Sequence, residues 1–170
     1  MMRKIQTYVD RFLEWALVGL MAANVLNVLW QVFTRFILEA PSSFTEELAR
    51  YLLIWVGLLG AAYGVGKKMH LAIDLLTARL AGLPQIVLEL FIAVCIFAFA
   101  AFVMVVGGIN LVDVTLSLEQ ISAALRIKVG YVYVVLPLSG ILMMFYTFLM
   151  IGESVSQLKV ARFAPSEKGI

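Results

Sequence analysis

Residues 90–112 read LFIAVCIFAFAAFVMVVGGINLV and carry no charged side chain. An α-helix needs about 20 apolar residues to cross the ~30 Å hydrocarbon core of a bilayer, and this stretch is long enough. Because lipid offers the backbone no hydrogen-bond partners, only a helix or a closed barrel can span it. The stretch lacks the period-2 alternation of a barrel strand, so it predicts a membrane-spanning helix.

Outward from this stretch, the sequence contains four long apolar segments, at about residues 12–38, 48–65, 87–112 and 129–151. The chain is 63% hydrophobic and its mean hydropathy is +0.99. Its 14% charged residues fall well below the ~25% of a typical soluble domain. The sequence therefore predicts an all-α integral membrane protein, with a four-helix membrane domain over residues 1–152 and a cytoplasmic tail over residues 153–170.

Lysine and arginine are unevenly divided between the two sides of this four-span arrangement. One side has the N-terminal segment, the link between spans two and three, and the tail, with Arg3, Lys4, Arg11, Lys67, Lys68, Arg79, Lys159, Arg162 and Lys168. The other side has only Arg35, Arg50, Arg126 and Lys128. By the positive-inside rule, both termini are predicted to be cytoplasmic.

Two connections are predicted to form short amphipathic helices at the interface. Ser43 and Glu46 have the spacing of a capping box, which would start a helix at Ser43 that continues into the second span. Between spans two and three, apolar residues recur at helical spacing among polar ones, at Ile73, Leu76, Leu80 and Leu83. This pattern predicts a helix lying in the cytoplasmic interface.

Polar side chains within the spans are candidate functional residues, because they are costly in lipid. Asn24, Asn27, Gln31 and Arg35 share one face of the first span. This stripe suits either a solute or ion path or hydrogen bonding to another helix, and its lack of an acidic residue favours the second. At the start of the second span, Glu46, Glu47 and Arg50 form a charged cluster. The cluster is either a solvated helix start or a docking point for a partner that also includes Arg35.

The second span carries small residues on one face, at Gly57, Gly60, Ala61 and Gly64. Small residues let membrane helices approach closely, so this face is predicted to pack against another helix. The single histidine, His70, follows Lys67 and Lys68 and has no companion His or Cys that would complete a metal site. No metal or other cofactor is predicted, and the net charge of +2 does not favour nucleic acid.

Six stretches carry a family resemblance. They are FTEELAR at 44–50, Trp55, GAA at 60–62, KKMHLAID at 67–74, QVFTRF at 31–36 and YVYVVLPL at 131–138. Together they resemble the small four-span membrane subunit of tripartite ATP-independent periplasmic (TRAP) transporters, the DctQ-like proteins, over about residues 8–150. The sequence departs from that pattern at Phe44, where the family often has Trp, and at Arg126 and Lys128, which replace a common Gly and Pro.

The resemblance implies a non-catalytic scaffold subunit in a bacterial inner membrane, within a sodium-driven secondary transporter for organic acids such as carboxylates or sialic acid. Its expected partners are a large TRAP membrane subunit, a periplasmic substrate-binding protein and membrane lipids. The expected partner interface comprises Arg35, Glu46, Glu47, Arg50, Gly57, Gly60 and Gly64. The expected cytoplasmic interfacial motif comprises Lys67, Lys68, His70 and Asp74.

Two other functions stay open at this point. A stand-alone proton-coupled exporter would use Glu89 as its coupling carboxylate, although Glu89 lies near the end of the third span rather than at mid-depth. A membrane enzyme or haem subunit is disfavoured, because one histidine cannot supply two haem ligands and no nucleophile–base pair is evident.

Overall fold

The computed structural model describes residues 2–39, 42–67 and 82–163. Their first two helices are α1 (Met2–Phe36) and α2 (Ser43–Gly66). The third apolar segment is α3 (Leu83–Phe99), a π-helical segment (Ala100–Gly107) and α4 (Gly108–Ser117) in unbroken succession. The fourth consists of α5 (Val129–Tyr133) and α6 (Val135–Phe163). Among these described residues, four stretches are long and apolar enough to cross a membrane, which confirms the predicted all-α membrane fold.

The helices extend beyond the apolar segments that predicted them. Helix α1 begins at Met2 rather than near residue 12, and α6 continues to Phe163 rather than ending near residue 151. Apolar runs mark the part of a helix that suits lipid, whereas polar turns at either end can stay helical in water. The first residues of the predicted tail, 153–163, are therefore helical.

The start of α2 differs from the predicted capping box. The N-cap is Ser42, its side chain makes no capping hydrogen bond, and Glu46 is engaged with Arg50 instead. The Thr45 hydroxyl donates to the Ser42 carbonyl oxygen at 2.7 Å. Thr45 is fully buried, and its own carbonyl oxygen accepts a 2.7 Å hydrogen bond from the Asn27 amide of α1. Burial of Thr45 against α1, rather than a local box, accounts for where this helix starts.

The link between spans two and three lies mostly outside the described residues. The predicted interfacial helix over 73–80 falls there, as do Lys68, His70 and Asp74. Leu83 is described and is the first residue of α3, with Pro84 at the second helical position. Proline suits the first turn, where its missing N–H would have had no helical partner.

A proline also explains the interruption between α5 and α6. Val134 forms a turn between these helices, three residues before Pro137. Proline removes one helical hydrogen bond, and its ring clashes with the carbonyl group four residues earlier. A backbone carbonyl group that loses its helical partner here can accept a hydrogen bond from another element.

The core of the bundle joins α1, α2, the π-helical segment and α6. Its buried members are Leu13, Leu59, Ala62, Val65, Ala100, Met104, Val135, Met143 and Tyr146. The third and fourth spans approach each other closely at Gly108, Gly130 and Gly140, and a Cβ atom on Gly130 would lie 2.6 Å from Leu116 Cγ. A Cβ atom on Gly140 would lie 2.8 Å from Met104 Cβ, and one on Gly108 would lie 2.9 Å from Pro137 Cδ. Small residues therefore bring these two spans into contact.

Gly140→Ala is expected to destabilise the chain by about 1–3 kcal/mol, because its Cβ must displace Met104 and Val105 in a packed region. Thermal unfolding of the purified chain in detergent measures this change. Gly57→Ala is the matched control, since its Cβ would meet no atom within 4 Å and alanine favours helices by up to about 1 kcal/mol. Equal stability of the two variants would contradict the close packing at Gly140.

Candidate functional site

Glu47 lies in the first turns of α2 and points toward the loop that joins α4 to α5. Its Oε2 atom accepts hydrogen bonds from the backbone N–H groups of Ala124, at 2.8 Å, and Leu125, at 3.0 Å. Its Oε1 atom accepts a 2.9 Å hydrogen bond from the Tyr51 hydroxyl group. Hydrogen bonds to an ionised acceptor are stronger than neutral ones. Glu47 therefore holds the loop over residues 118–128 against the second span.

The loop is also tied to itself. The Ser122 N–H donates to the Ile127 carbonyl oxygen and the Val129 N–H donates to the Gln120 carbonyl oxygen, both at 2.9 Å. An isolated antiparallel bridge pairs Ile121 with Lys128. These bonds use the loop's own backbone groups, while the Ala124 and Leu125 N–H groups donate to Glu47. The result is a compact loop that Glu47 connects to α2.

Arg126 and Lys128 adopt backbone conformations that suit glycine and proline, respectively. Arg126 has a φ of 54°, in the left-handed region that glycine enters without steric cost. Lys128 has a φ of −67°, close to the value that the proline ring imposes. The loop thus combines a glycine-like and a proline-like conformation with two exposed cationic side chains.

An apolar cleft lies behind the loop. Its volume is ≈ 360 Å³, and its walls include Leu48, Trp55, Leu125, Ile127 and Tyr131. The Trp55 indole N–H donates to the Val132 carbonyl oxygen of α5 at 3.1 Å. Trp55 therefore binds a backbone group beside the interruption of the fourth span. The loop, α2 and α5 form one connected surface at this end of the bundle.

The charged residues predicted as one cluster have different partners. Glu46 and Arg50 pair with each other at 3.4 Å, and their side chains are about two-thirds exposed, at 68% and 67%. An ion pair this exposed contributes at most about 1 kcal/mol to the free energy of unfolding. Arg35 lies over the Phe36 ring at 5.9 Å from its centroid and forms no ion pair within the described part of the chain. Glu47 points inward, whereas Glu46 and Arg50 face outward.

The polar stripe of α1 is partly used for helix–helix bonding. Asn27 links α1 to α2 through its hydrogen bond to the Thr45 carbonyl oxygen. The side-chain oxygen of Asn24 is buried and has no partner within the described residues. Gln31 accepts a 3.0 Å hydrogen bond from the Thr34 hydroxyl group through its backbone carbonyl oxygen. The Asn27 contact supports the structural interpretation of this stripe over a solute path.

The small-residue face of α2 is largely open. A Cβ atom added at Gly57 or Gly64 would meet nothing within 4 Å. One added at Gly60 would meet only Leu17 Cδ2, at 3.9 Å. Ala61 is exposed, and Leu53 on the same face is 61% exposed. Within the described residues, this predicted packing face therefore has almost no packing partner.

A second polar network joins three spans at the opposite end of the bundle. Asp10 of α1 accepts hydrogen bonds from the Lys67 ammonium group at 2.9 Å and from the Tyr146 hydroxyl group at 2.6 Å. Glu14, one turn further along α1, accepts from the Tyr63 hydroxyl group at 2.6 Å. The hydrogen bond that Lys67 donates to the Asp10 carboxylate raises the pKa of Lys67 above its usual value, so Lys67 stays charged.

The sequence did not reveal this network, although one signal was present. Asp10 and Glu14 are four residues apart and therefore share a helical face, but that spacing does not identify their partners. Tyr146 is 136 positions from Asp10, and no local pattern connects them. Its ring also fills the space beside Gly66, where an added Cβ would lie 2.7 Å from it.

The exporter candidate, Glu89, lies in the second turn of α3. Its Oε1 atom accepts a 3.2 Å hydrogen bond from the Gln85 side chain. Among the described residues, no group of three or more His, Cys, Asp or Glu side chains is arranged to hold a metal ion.

The sequence of residues 24–157 matches the protein-family model for the DctQ component of tripartite ATP-independent periplasmic transporters. The chain belongs to the DctQ family. The match includes Glu47, Trp55, the small-residue face and the whole 118–128 loop. It begins after Asp10 and Glu14, so the α1 carboxylates of the second network precede the matched region. The family is a transporter component, and the four apolar helices agree with a membrane protein.

Named relatives include both small and long permease proteins. A putative TRAP transporter small permease protein of Haemophilus influenzae is 25% identical over 142 residues, covering 84% of this chain and 86% of that protein. The sialic acid TRAP transporter small permease protein SiaQ of Vibrio cholerae is 30% identical over 107 residues, covering 63% of this chain and 60% of that protein. The sialic acid TRAP transporter permease protein SiaT of Haemophilus influenzae is 29% identical over 143 residues. That match covers 81% of this DctQ-family chain but only 22% of SiaT.

Tyr146→Phe is expected to lower the free energy of unfolding by about 1–2 kcal/mol, because Asp10 loses a hydrogen bond from a buried donor. Denaturant titration of the detergent-solubilised chain measures the effect. Tyr131→Phe removes a hydroxyl group from a 62% exposed ring and serves as the control. If the two variants unfold alike, the Asp10 contact does not contribute to stability.

Glu47→Gln is expected to accelerate hydrogen exchange at the backbone N–H groups of Ala124 and Leu125, because these donors lose an ionised acceptor. Exchange measured by mass spectrometry on peptides covering residues 118–128 reports this change. Glu46→Gln removes the same charge one position earlier without touching the loop, and it should leave exchange there unaltered. Equal exchange in both variants would contradict the anchoring role of Glu47.

Proposed function

We propose that this chain is the small, non-catalytic scaffold subunit of a TRAP transporter and packs along a large permease subunit in a bacterial inner membrane. The observation that carries the proposal is the open small-residue face of α2 in a DctQ-family chain. Helices in lipid associate through close van der Waals contact, which small residues allow. The face at Gly57, Ala61 and Gly64 offers such a contact surface, and no described element of the chain covers it.

The long relative supports the same arrangement. The region matched by this chain is about a fifth of SiaT, which is itself named a sialic acid TRAP transporter permease. A DctQ-like unit thus occurs within a larger permease chain. We propose that the counterpart of the rest of SiaT is a large permease subunit, which packs against the small-residue face of α2.

The proposed topology places both termini in the cytoplasm, in line with the lysine and arginine bias. The Glu47-anchored loop, Arg50 and Arg126 then face the periplasm. A surface that is already ordered loses less conformational freedom on binding, so the anchored loop suits the docking of a substrate-binding protein. The exposed charges around it would orient that partner.

Solute uptake, in this proposal, is driven by sodium and involves an organic acid, with sialic acid suggested by the names of two relatives. The described acidic side chains of this chain lie toward the ends of its helices rather than at mid-span, for example Asp10, Glu47 and Asp113. A carboxylate at mid-depth is the feature expected of an ion-coupling site. Sodium and solute sites are therefore assigned to the large subunit.

Gly57→Leu combined with Gly64→Leu is expected to abolish co-purification with the large permease subunit, because two bulky side chains would hold the partner helix away. Tagged chains are co-expressed with the large subunit, extracted in mild detergent and analysed for a one-to-one complex. Gly19→Leu adds the same side chain at another open glycine, on α1, and serves as the control.

A wild-type complex that takes up solute in liposomes only when a binding protein and a sodium gradient are supplied would support the proposal. If the wild-type chain elutes alone and transports alone, the scaffold function is wrong. If the double variant still co-purifies, the large subunit uses another face.

A further inference from the structure

A polar cleft lies on α1, near its N-terminal end and away from both the α2 face and the anchored loop. Its volume is ≈ 300 Å³, and the described residues that line it are Lys4, Thr7, Tyr8 and Arg11. All four side chains are exposed. Residues three, four and seven apart lie on one face of a helix, so these four described residues form a single stripe along α1. Leu13, which is 1% exposed, lies on the opposite, core-facing side.

The cleft carries positive charge that the described part of the chain does not neutralise. The carboxylates of Asp10 and Glu14 lie on the same helix but are engaged with Lys67, Tyr63 and Tyr146. Neither Lys4 nor Arg11 forms an ion pair with a described carboxylate. The packing of α1 thus separates its charges, with the acids turned toward α2 and α6 and the two cations turned outward.

The depth of the cleft corresponds to the headgroup region of a bilayer. Arg11 and Arg35 are separated by about 36 Å at a rise of 1.5 Å per residue, slightly more than the ~30 Å hydrocarbon core. Arg11 therefore lies just outside one edge of the core when Arg35 lies just outside the other. Phe12 and Trp15, which are 73% and 72% exposed, follow directly on the core side. Aromatic residues favour this boundary, where one end of a lipid is polar and the other apolar.

We infer that this cleft binds the phosphate headgroup of an anionic phospholipid. Lys4 and Arg11 contact the phosphate from either side, the Tyr8 hydroxyl group donates a hydrogen bond, and Phe12 and Trp15 pack against the acyl chains. In the proposed topology, this lipid belongs to the cytoplasmic leaflet. The inference concerns the chain by itself, so it does not depend on assembly with a large subunit.

The test compares lipid retention by the full chain in mild detergent, using native mass spectrometry. Dioleoyl phosphatidylglycerol and dioleoyl phosphatidylethanolamine are supplied in equal amounts, and the ratio of the two retained lipids is the readout. The wild-type chain is expected to prefer phosphatidylglycerol. Each cation near a membrane surface favours anionic lipid by about fivefold, so Lys4→Gln combined with Arg11→Gln should lower the preference about thirtyfold.

Arg35→Gln combined with Arg50→Gln removes the same charge from the other end of the bundle and is the matched control, which should keep the preference. Tyr8→Phe alone should weaken retention severalfold, and it remains informative if the double variant fails to fold. The exchange Lys4→Arg with Arg11→Lys preserves total charge and should retain the lipid.

Three results would overturn the inference. The first is a wild-type chain that shows no preference for phosphatidylglycerol. The second is an unchanged preference in both the glutamine double variant and Tyr8→Phe. The third is displacement of the lipid by inorganic phosphate at the same concentration, which would mean that the cleft takes a free anion rather than a headgroup. Co-purification with a large subunit is measured separately, so failure of either proposal is distinguishable from failure of the other.

Discussion

Inside the hydrocarbon region a peptide group must find its hydrogen-bond partner within the protein, because lipid supplies neither donors nor acceptors. The four spans of this chain satisfy that constraint, and their charged groups are consequently found toward the ends. Specific polar bonds between the spans therefore form near the two surfaces. Between those surfaces the helices are held by close packing, as at Gly108 and Gly140, where the third and fourth spans come into direct contact.

The two ends are secured by different chemistry. At one end, Glu47 accepts hydrogen bonds from backbone N–H groups, so it can hold the loop whatever side chains the loop carries at Ala124 and Leu125. At the other end, Asp10 accepts from the side chains of Lys67 and Tyr146, so that junction depends on residue identity. Together the two junctions connect all four spans near the surfaces and leave the open face of α2 available to a partner.

The sequence predicted the spans because apolar length is a local property, and residues 90–112 alone carry enough of it. Helix ends and partners were not predictable in the same way. The capping box at Ser43 and Glu46 was wrong, because the N-cap is Ser42 and Glu46 pairs with Arg50. The charged cluster of α2 was found, yet the inward direction of Glu47 depends on a loop 77 residues away. Contacts between residues so far apart in sequence arise from the tertiary fold and produce no repeating pattern in the amino-acid sequence.

The backbone of the 118–128 loop has a consequence for how such subunits diverge. Arg126 and Lys128 occupy conformations that suit glycine and proline, yet both carry long cationic side chains. The shape of the loop is set by Glu47 and by the loop's own backbone bonds, so its surface charge is free to change without a change of fold. A point substitution at Arg126 or Lys128 can therefore change the charge that this surface presents while the helices keep their arrangement.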